Sequence, residues 1–153
     1  ESLVSIFNTL GKKCKDAGLE LLYHNHDFEF KKNAEGIIPI EYFLDHTNPE
    51  YVNFQMDLFW VTKTGADPVA YFNKYPGRFK IWHMKDMDSE GRFAPVGEGT
   101  INFERIIAQK NLSGMQFYFV EQDATFNHKP IEAVKISHGG LVKIGLNSAD
   151  EKL

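Results

Sequence analysis

The 153 residues predict an α/β fold built on a parallel sheet. Apolar periodicity switches repeatedly between helical and extended spacing along the chain. One helical stretch and four strand–helix units fill the length without a linker or a low-complexity tract. Strands separated by helices pair in parallel, because a parallel neighbour requires a crossover connection. Hydrophobic residues make up 42% and charged residues 25% of the chain, the composition of a globular domain with one sizeable core, and residues 1–153 read as a single domain.

Each element follows from its local pattern. Leu3, Ile6, Phe7, Leu10, Cys14 and Ala17 recur at spacings of three and four, so a helix is expected over residues 2 to 17, with Gly18 as its stop. LELLYHNHDFEF (19 to 30) is an apolar run ending in polar residues, the first strand and its loop. After a turn around Asn33 to Gly36, a short helix is expected from Pro39 to His46. VNFQMDLFW (52 to 60) is the second strand, and Asp67 followed by Pro68 is an N-cap with a first-turn proline, opening a helix to about Lys74. FKIWHMKDM (79 to 87) is the third strand. A glycine-punctuated loop, GRFAPVGEGTIN, leads to a helix near 102 to 110. MQFYFVEQD (115 to 123) is the fourth strand, and a last helix begins near Pro130.

Charge and cysteine content exclude several classes. Seventeen Lys and Arg against 21 Asp and Glu give a net charge of −4 with the signs interspersed, so neither nucleic acid nor a membrane surface is an expected partner. No stretch approaches the roughly 18 to 20 apolar residues of a spanning helix, and the first residues lack a signal-peptide core. Cys14 is the only cysteine, which excludes an internal disulfide and a cysteine-rich zinc site. The chain starts without Met inside a helical pattern, so further residues are expected upstream. The cytoplasm is the expected compartment, with the periplasm as the alternative.

The polar residues carry the functional signal. Each strand places its ionisable residues at its C-terminal end, where sites of parallel α/β folds are built, whether the sheet is an open doubly wound one or a (β/α)8 barrel. Alternation sets Leu22, His24 and His26 on one face, Gln55 and Asp57 on another, then Ile81, His83 and Lys85, then Phe119, Glu121 and Asp123. Taken singly, each has an ordinary explanation, such as a loop cap, an exposed Lys85–Asp86 pair or a hydrogen-bonded histidine. Together they break the apolar pattern at the same end of four successive strands. Burying that much polarity costs several kcal/mol unless it is compensated, and a divalent cation compensates it.

YHNHDFEF, MDLFWV followed by GADPVAYFNKYPGRF, WHMKDMD, VGEGTINF and YFVEQD, in this order, resemble the second half of the sugar phosphate isomerase/epimerase family, the xylose-isomerase-like TIM barrels. The likeness runs from about Leu3 to Leu141. It implies that the four strands are strands five to eight of a (β/α)8 TIM barrel, so that the chain is about its C-terminal half. It also implies a divalent metal, with manganese the first expectation and Mg, Co, Fe or Zn as alternatives. Asp57, His83 and Glu121 match three family ligands. At the fourth, where many members have Glu, this sequence has His24–Asn25–His26, the mark of a distinct HNH branch, and either histidine is a candidate ligand. Trp60 stands where the family often has histidine.

With these ligands the implied chemistry is enolisation of a carbohydrate carbonyl, giving an isomerase or epimerase acting on a sugar or sugar phosphate. A β-elimination by a lyase or dehydratase on a keto-sugar or keto-inositol uses the same enediolate, and a non-catalytic sugar-binding half-barrel is the third reading. Glu121, His24, His26 and Lys85 are the candidate acid–base groups. Trp60, Lys85 and Glu29 are the candidate substrate contacts, with Phe28, Phe59 and Phe93 as further stacking surfaces. Gly97 and Gly99 before a helix are a weak anion-site signal, better read as a loop needing positive φ. A half-barrel leaves two open sheet edges, so either the N-terminal half or a second copy is expected to complete it.

Overall fold

The computed structural model describes residues 2–146. The ends of the expected 1–153 domain therefore lie outside the described residues. α1 (Leu3–Asp16) begins at Ser2, whose hydroxyl accepts from Ser5 N, and leads into β1 (Leu21–His24). A single 3-10 turn (Phe28–Phe30) and α2 (Pro39–His46) follow, then β2 (Val52–Asp57), α3 (Leu58–Lys63) and α4 (Pro68–Lys74). β3 (Phe79–Met84) is followed by a two-residue hairpin, β4 (Asp86–Met87) and β5 (Phe93–Ala94). α5 (Phe103–Ile107), α6 (Lys110–Ser113), β6 (Phe117–Val120) and α7 (Pro130–Lys143) complete the described residues.

The main sheet has the order β1-β2-β3-β6, all parallel, as expected for consecutive βα units. Its two faces differ sharply. Val52, Phe54, Met56, Trp82 and Met84 are buried against the helices together with Phe43, Phe72, Phe103 and Leu141. Leu22, Gln55 and Ile81 on the opposite face are only partly covered, and Phe117 and Phe119 remain 60% and 53% exposed. One side is thus a finished core, and the other is a barrel lining open along one flank.

A register shift keeps both faces in phase. Phe54 pairs with Phe79, but the next residue, Gln55, pairs with Ile81, so Lys80 is an extra residue in β3. In a regular strand that kept Lys80, alternation would put Phe79 and Ile81 on one face. The bulge leaves Phe79 in the core at 1% exposure while Ile81, His83 and Lys85 turn to the lining.

At the N-terminal edge of the sheet, Arg78 is buried and donates to Leu44 O, Thr47 Oγ1 and Val52 O, tying α2 to the start of β2. No sequence pattern singles it out.

The element expectations hold with corrections at strand ends. The second strand does not run to Trp60. The Asp57 side chain accepts from Phe59 N and Trp60 N at 3.0 and 3.1 Å, and this cap starts α3 directly at the end of β2. The third strand stops at Met84, because Asp86 and Met87 pair antiparallel with Phe93 and Ala94 instead. The helix expected near 102 to 110 is two short helices meeting at Gln109.

Two open edges and the exposed β6 aromatics lead to an expected solution behaviour. In size-exclusion chromatography with light scattering, the chain by itself is expected to run above monomer mass and to bind an apolar dye. A cooperatively unfolding, dye-silent monomer would contradict the open-lining reading of the sheet.

Candidate metal centre

The lining residues at the C-terminal strand ends converge. His24 ends β1 and Asp57 ends β2, with Asp57 in register with His83 of β3. One ligand atom from each of His24, Asp57 and His83 lies within 4.8 Å of the others. His83 Nδ1 stands 3.8 Å from Asp57 Oδ2 and in direct contact with Glu121 Oε2, while the Gln55 amide meets the other ring nitrogen. The His24 and His83 rings are 4.6 Å apart. Lys85, only 1% exposed, sets its ammonium 2.9 Å from Asp57 Oδ2, 3.3 Å from Glu121 Oε2 and 3.0 Å from Asp123 Oδ2.

The donor atoms fit a divalent cation. His24 Nδ1 is buried without a hydrogen-bond partner, and the equally buried Asp57 Oδ2, His83 Nδ1 and Glu121 Oε2 meet only one another and the Lys85 ammonium. Four such atoms, two imidazole nitrogens and two carboxylate oxygens, form a borderline-hard set that suits Mn, Fe, Co or Zn. Burial, followed by the neighbouring His83 and His26, lowers the His24 imidazole to about 4, so it is neutral and competent as a ligand at neutral pH. Burial pushes Asp57 up against the opposing pull of Lys85. For Lys85 the burial effect is outweighed by Asp57, Asp123 and Glu121, which hold the ammonium charged. Glu121 is desolvated too, but Lys85 and His83 overcome this and keep it below the usual carboxylate range.

Asn25 explains the spacing of the two histidines. It is buried, its Oδ1 accepts from Asp57 N at 3.1 Å, and its Nδ2 donates to Asp57 O and His26 O. The side chain between the histidines thus bolts the end of β1 to the end of β2. His24 enters the cluster, whereas His26 is exposed beyond the strand, its ring 5.0 Å from His24 and 5.6 Å from Trp60.

Two expected substrate contacts are corrected, and the ordinary explanation of Lys85 and Asp86 as an exposed pair does not apply. Glu29 is 1% exposed and accepts from Tyr23 OH at 2.6 Å and from His26 N at 2.9 Å, so it clamps the loop after β1 rather than facing a substrate. Phe59 is fully buried. Lys85 and Asp86 do not pair: both are 1% exposed and they act on opposite sides of the strand end. Trp60, half-buried, stands 5.6 Å from Phe93, and the Lys85 ammonium lies 5.8 and 5.6 Å from these two rings.

Asp86 also disposes of the anion-site signal. Its Oδ2 accepts from Gly97 N and Gly99 N at 3.0 Å, and its Oδ1 from Met87 N and Ile101 N. The amides that could have received a phosphate already hold a carboxylate. Gly97 has φ +94°, and a Cβ at Gly99 would fall 2.2 Å from Asp86 Oδ1, so both glycines serve this turn.

The molecule is a partial (β/α)8 barrel with a histidine–carboxylate cluster at the C-terminal ends of its strands. Residues 1–129 match the xylose isomerase-like TIM barrel family, and the chain belongs to it. A sugar phosphate isomerase/epimerase from Parabacteroides distasonis superposes with a TM-score of 0.81 and 31% identity, over 94% of this chain and 51% of that one. An inosose dehydratase from Bacillus cereus is 27% identical over 144 residues, covering 80% of this chain and 47% of the relative. A structure of the IolI protein with a bound zinc atom shares the fold at a TM-score of 0.67 and 16% identity. The chain spans about half the length of the relatives it matches. Among the described residues no helix is long and apolar enough to cross a membrane.

Two outcomes follow from this geometry. Because the folded His24 is depressed below its ordinary 6.5, the unfolded chain binds more protons between about pH 6.5 and 4. The stability from its neutral burial is present above pH 6.5 and is lost as pH falls toward 4. Urea midpoints measured across that range should fall more steeply for the native chain than for His24→Gln. Asp86→Ala strips the acceptor from four backbone amides and should cost about 2–4 kcal/mol in denaturant unfolding; a loss below about 0.5 kcal/mol would remove Asp86 from its organising role.

Proposed function

We propose that this chain carries the metal-binding and acid–base half of an enolising carbohydrate enzyme, a sugar isomerase or epimerase of the HNH branch. The observation that carries this reading is the convergence of His24, Asp57 and His83 within 4.8 Å, with Glu121 against His83. A divalent cation held by these four residues, manganese first, with Mg, Co, Fe or Zn as alternatives, would supply the positive charge that polarises the carbonyl of a hydroxy-ketone. The half-barrel supplying strands one to four would contribute the remaining substrate contacts.

The chain's own residues define the rest. Trp60 and Phe93 present an aromatic wall to the apolar face of a sugar ring. Lys85, expected to touch substrate, is buried with its ammonium against Asp57, Glu121 and Asp123, so it acts as a fixed positive charge behind the mouth. Glu121, 42% exposed against 0% for Asp57, is the ligand-set carboxylate open to the mouth and takes the proton on the carbon beside the carbonyl. The C–H electron pair becomes the enediolate double bond. Return of the proton to the former carbonyl carbon, with the adjacent hydroxyl passing its proton to the first oxygen and becoming the new carbonyl, gives the isomer; delivery to the other face of the original carbon restores the carbonyl and gives the epimer.

A second reading is favoured by the inosose dehydratase relatives and by the position of His26, exposed at the rim beside His24. In a dehydration, the same proton leaves, the C–H pair forms a carbon–carbon double bond, and a β-hydroxyl departs with a proton from His26 as water.

Proton NMR of a keto-sugar panel in deuterated water separates these readings. Exchange at carbon without loss of water is expected for the isomerase or epimerase, whereas a new enone absorbance would transfer the assignment to a dehydratase. Stoichiometric metal with neither signal would leave a sugar-binding half-barrel. His83→Ala is expected to lose bound divalent metal, measured by plasma mass spectrometry, and to lower turnover by about 100-fold or more. Retention of stoichiometric metal in that variant would refute the ligand assignment.

A further inference from the structure

Lys85 and the proposed cation draw on the same atoms. Asp57 Oδ2 and Glu121 Oε2 lie 2.9 and 3.3 Å from the Lys85 ammonium, and both also face His83 Nδ1. An ammonium at 1% exposure must be paired, because an uncompensated charge in that position is strongly destabilising. Its three contacts differ in what else their acceptors do, however. Asp57 Oδ2 and Glu121 Oε2, at 2.9 and 3.3 Å, also belong to the donor set around His83, whereas Asp123 Oδ2, at 3.0 Å, meets the ammonium alone among these groups. One of the lysine's three donors is therefore drawn to a carboxylate outside the ligand set.

We propose that Asp123 is a positioning residue that holds the Lys85 ammonium to one side, so that Asp57 Oδ2 and Glu121 Oε2 stay open to a divalent cation while the lysine remains beside them. Without Asp123, the acceptors left within reach of the buried ammonium are those two ligand oxygens. The lysine then binds in the cation's place and competes with it. The spacing supports this division of labour. Glu121 and Asp123 are two residues apart just beyond β6, and both reach the Lys85 ammonium, at 3.3 and 3.0 Å. One of them turns to His83 and the other does not. This inference rests on the metal-centre reading above and extends it to a residue outside the ligand set.

Isothermal titration calorimetry with Mn2+ on the full chain tests it through a double-mutant cycle. Asp123→Asn is expected to weaken Mn2+ binding by about tenfold, and Asp123→Glu to restore most of that loss. In a Lys85→Met background, the same Asp123→Asn change is expected to cost about twofold or less. An equal loss in both backgrounds would show Asp123 acting as a distant charge and would overturn the proposal. If Lys85→Met does not keep the native circular dichroism spectrum, Lys85→Gln takes its place. Salt gives an independent readout: the loss on Asp123→Asn should persist in about 0.5 M KCl, where the Debye length is a few ångströms, and its disappearance there would count against positioning. Absence of Mn2+ binding by the unsubstituted chain would instead remove the metal centre itself, an outcome distinct from binding without coupling.

Discussion

Asp57 is the point on which the rest of the site depends, because its two oxygens serve two structures. Oδ1 accepts from Phe59 N and Trp60 N and forces the chain out of β2 into a helix with no intervening loop. Oδ2 is left facing Lys85 and His83. The main-chain groups on either side of this carboxylate are held by Asn25 from the neighbouring strand. A carboxylate with free rotation would find water. Here the cap fixes one oxygen and the peptide is clamped, so the other oxygen has a defined direction. Trp60 is placed by the same cap, since its backbone amide is one of the donors.

Much of this arrangement was legible in the sequence, for a physical reason. Parallel strands buried under helices must be apolar on the packed face, so each ionisable residue that interrupts the run stands out, and His24, Asp57, His83, Lys85 and Glu121 all did. Less legible were the residues that support these by hydrogen bonds inside the loops. Glu29 looked like an available carboxylate until Tyr23 and His26 were found on its two oxygens. Asp86 had only an ordinary explanation, an exposed pair with Lys85, yet it fills a cradle of four amides, one next to it and three eleven or more residues away in sequence. Arg78 carries no pattern at all, since its acceptors are two carbonyls and one hydroxyl that only the tertiary fold brings together. Local pattern reports which side chains are unusual for their element, and it is silent on which long-range acceptors they find.

The two faces of the sheet divide stability from chemistry. The helix-covered face buries Val52, Phe54, Met56, Trp82 and Met84 almost completely, and contributes most of the apolar burial of the described residues. The lining face carries the histidines, the carboxylates and the lysine. Its own apolar members, Phe117 and Phe119, stay open to water. Changes of the exposed lining aromatics Phe117 and Phe119 are therefore cheap for folding, whereas changes on the covered face, or of the buried Asp57 and Lys85, are not. This separation lets one scaffold hold different reactions.

The bulge at Lys80 takes one residue out of step so that β3 keeps a single phase on both sides of it. Gln55 stands opposite Ile81 and Met56 opposite Trp82 as though Lys80 were skipped. A chain lacking residue 80 would therefore run from Phe79 straight on to Ile81 in plain alternation, with Trp82 and Met84 still in the core and His83 and Lys85 still at the cluster. The damaging change is the opposite one. Regular pairing through a retained residue 80 would turn Trp82 and Met84 to the mouth and drive His83 and Lys85 into the apolar layer. In this strand a deletion at position 80 is thus milder than the loss of the bulge, and lineages of this barrel should show either a bulge or a gap there, but no residue paired in step.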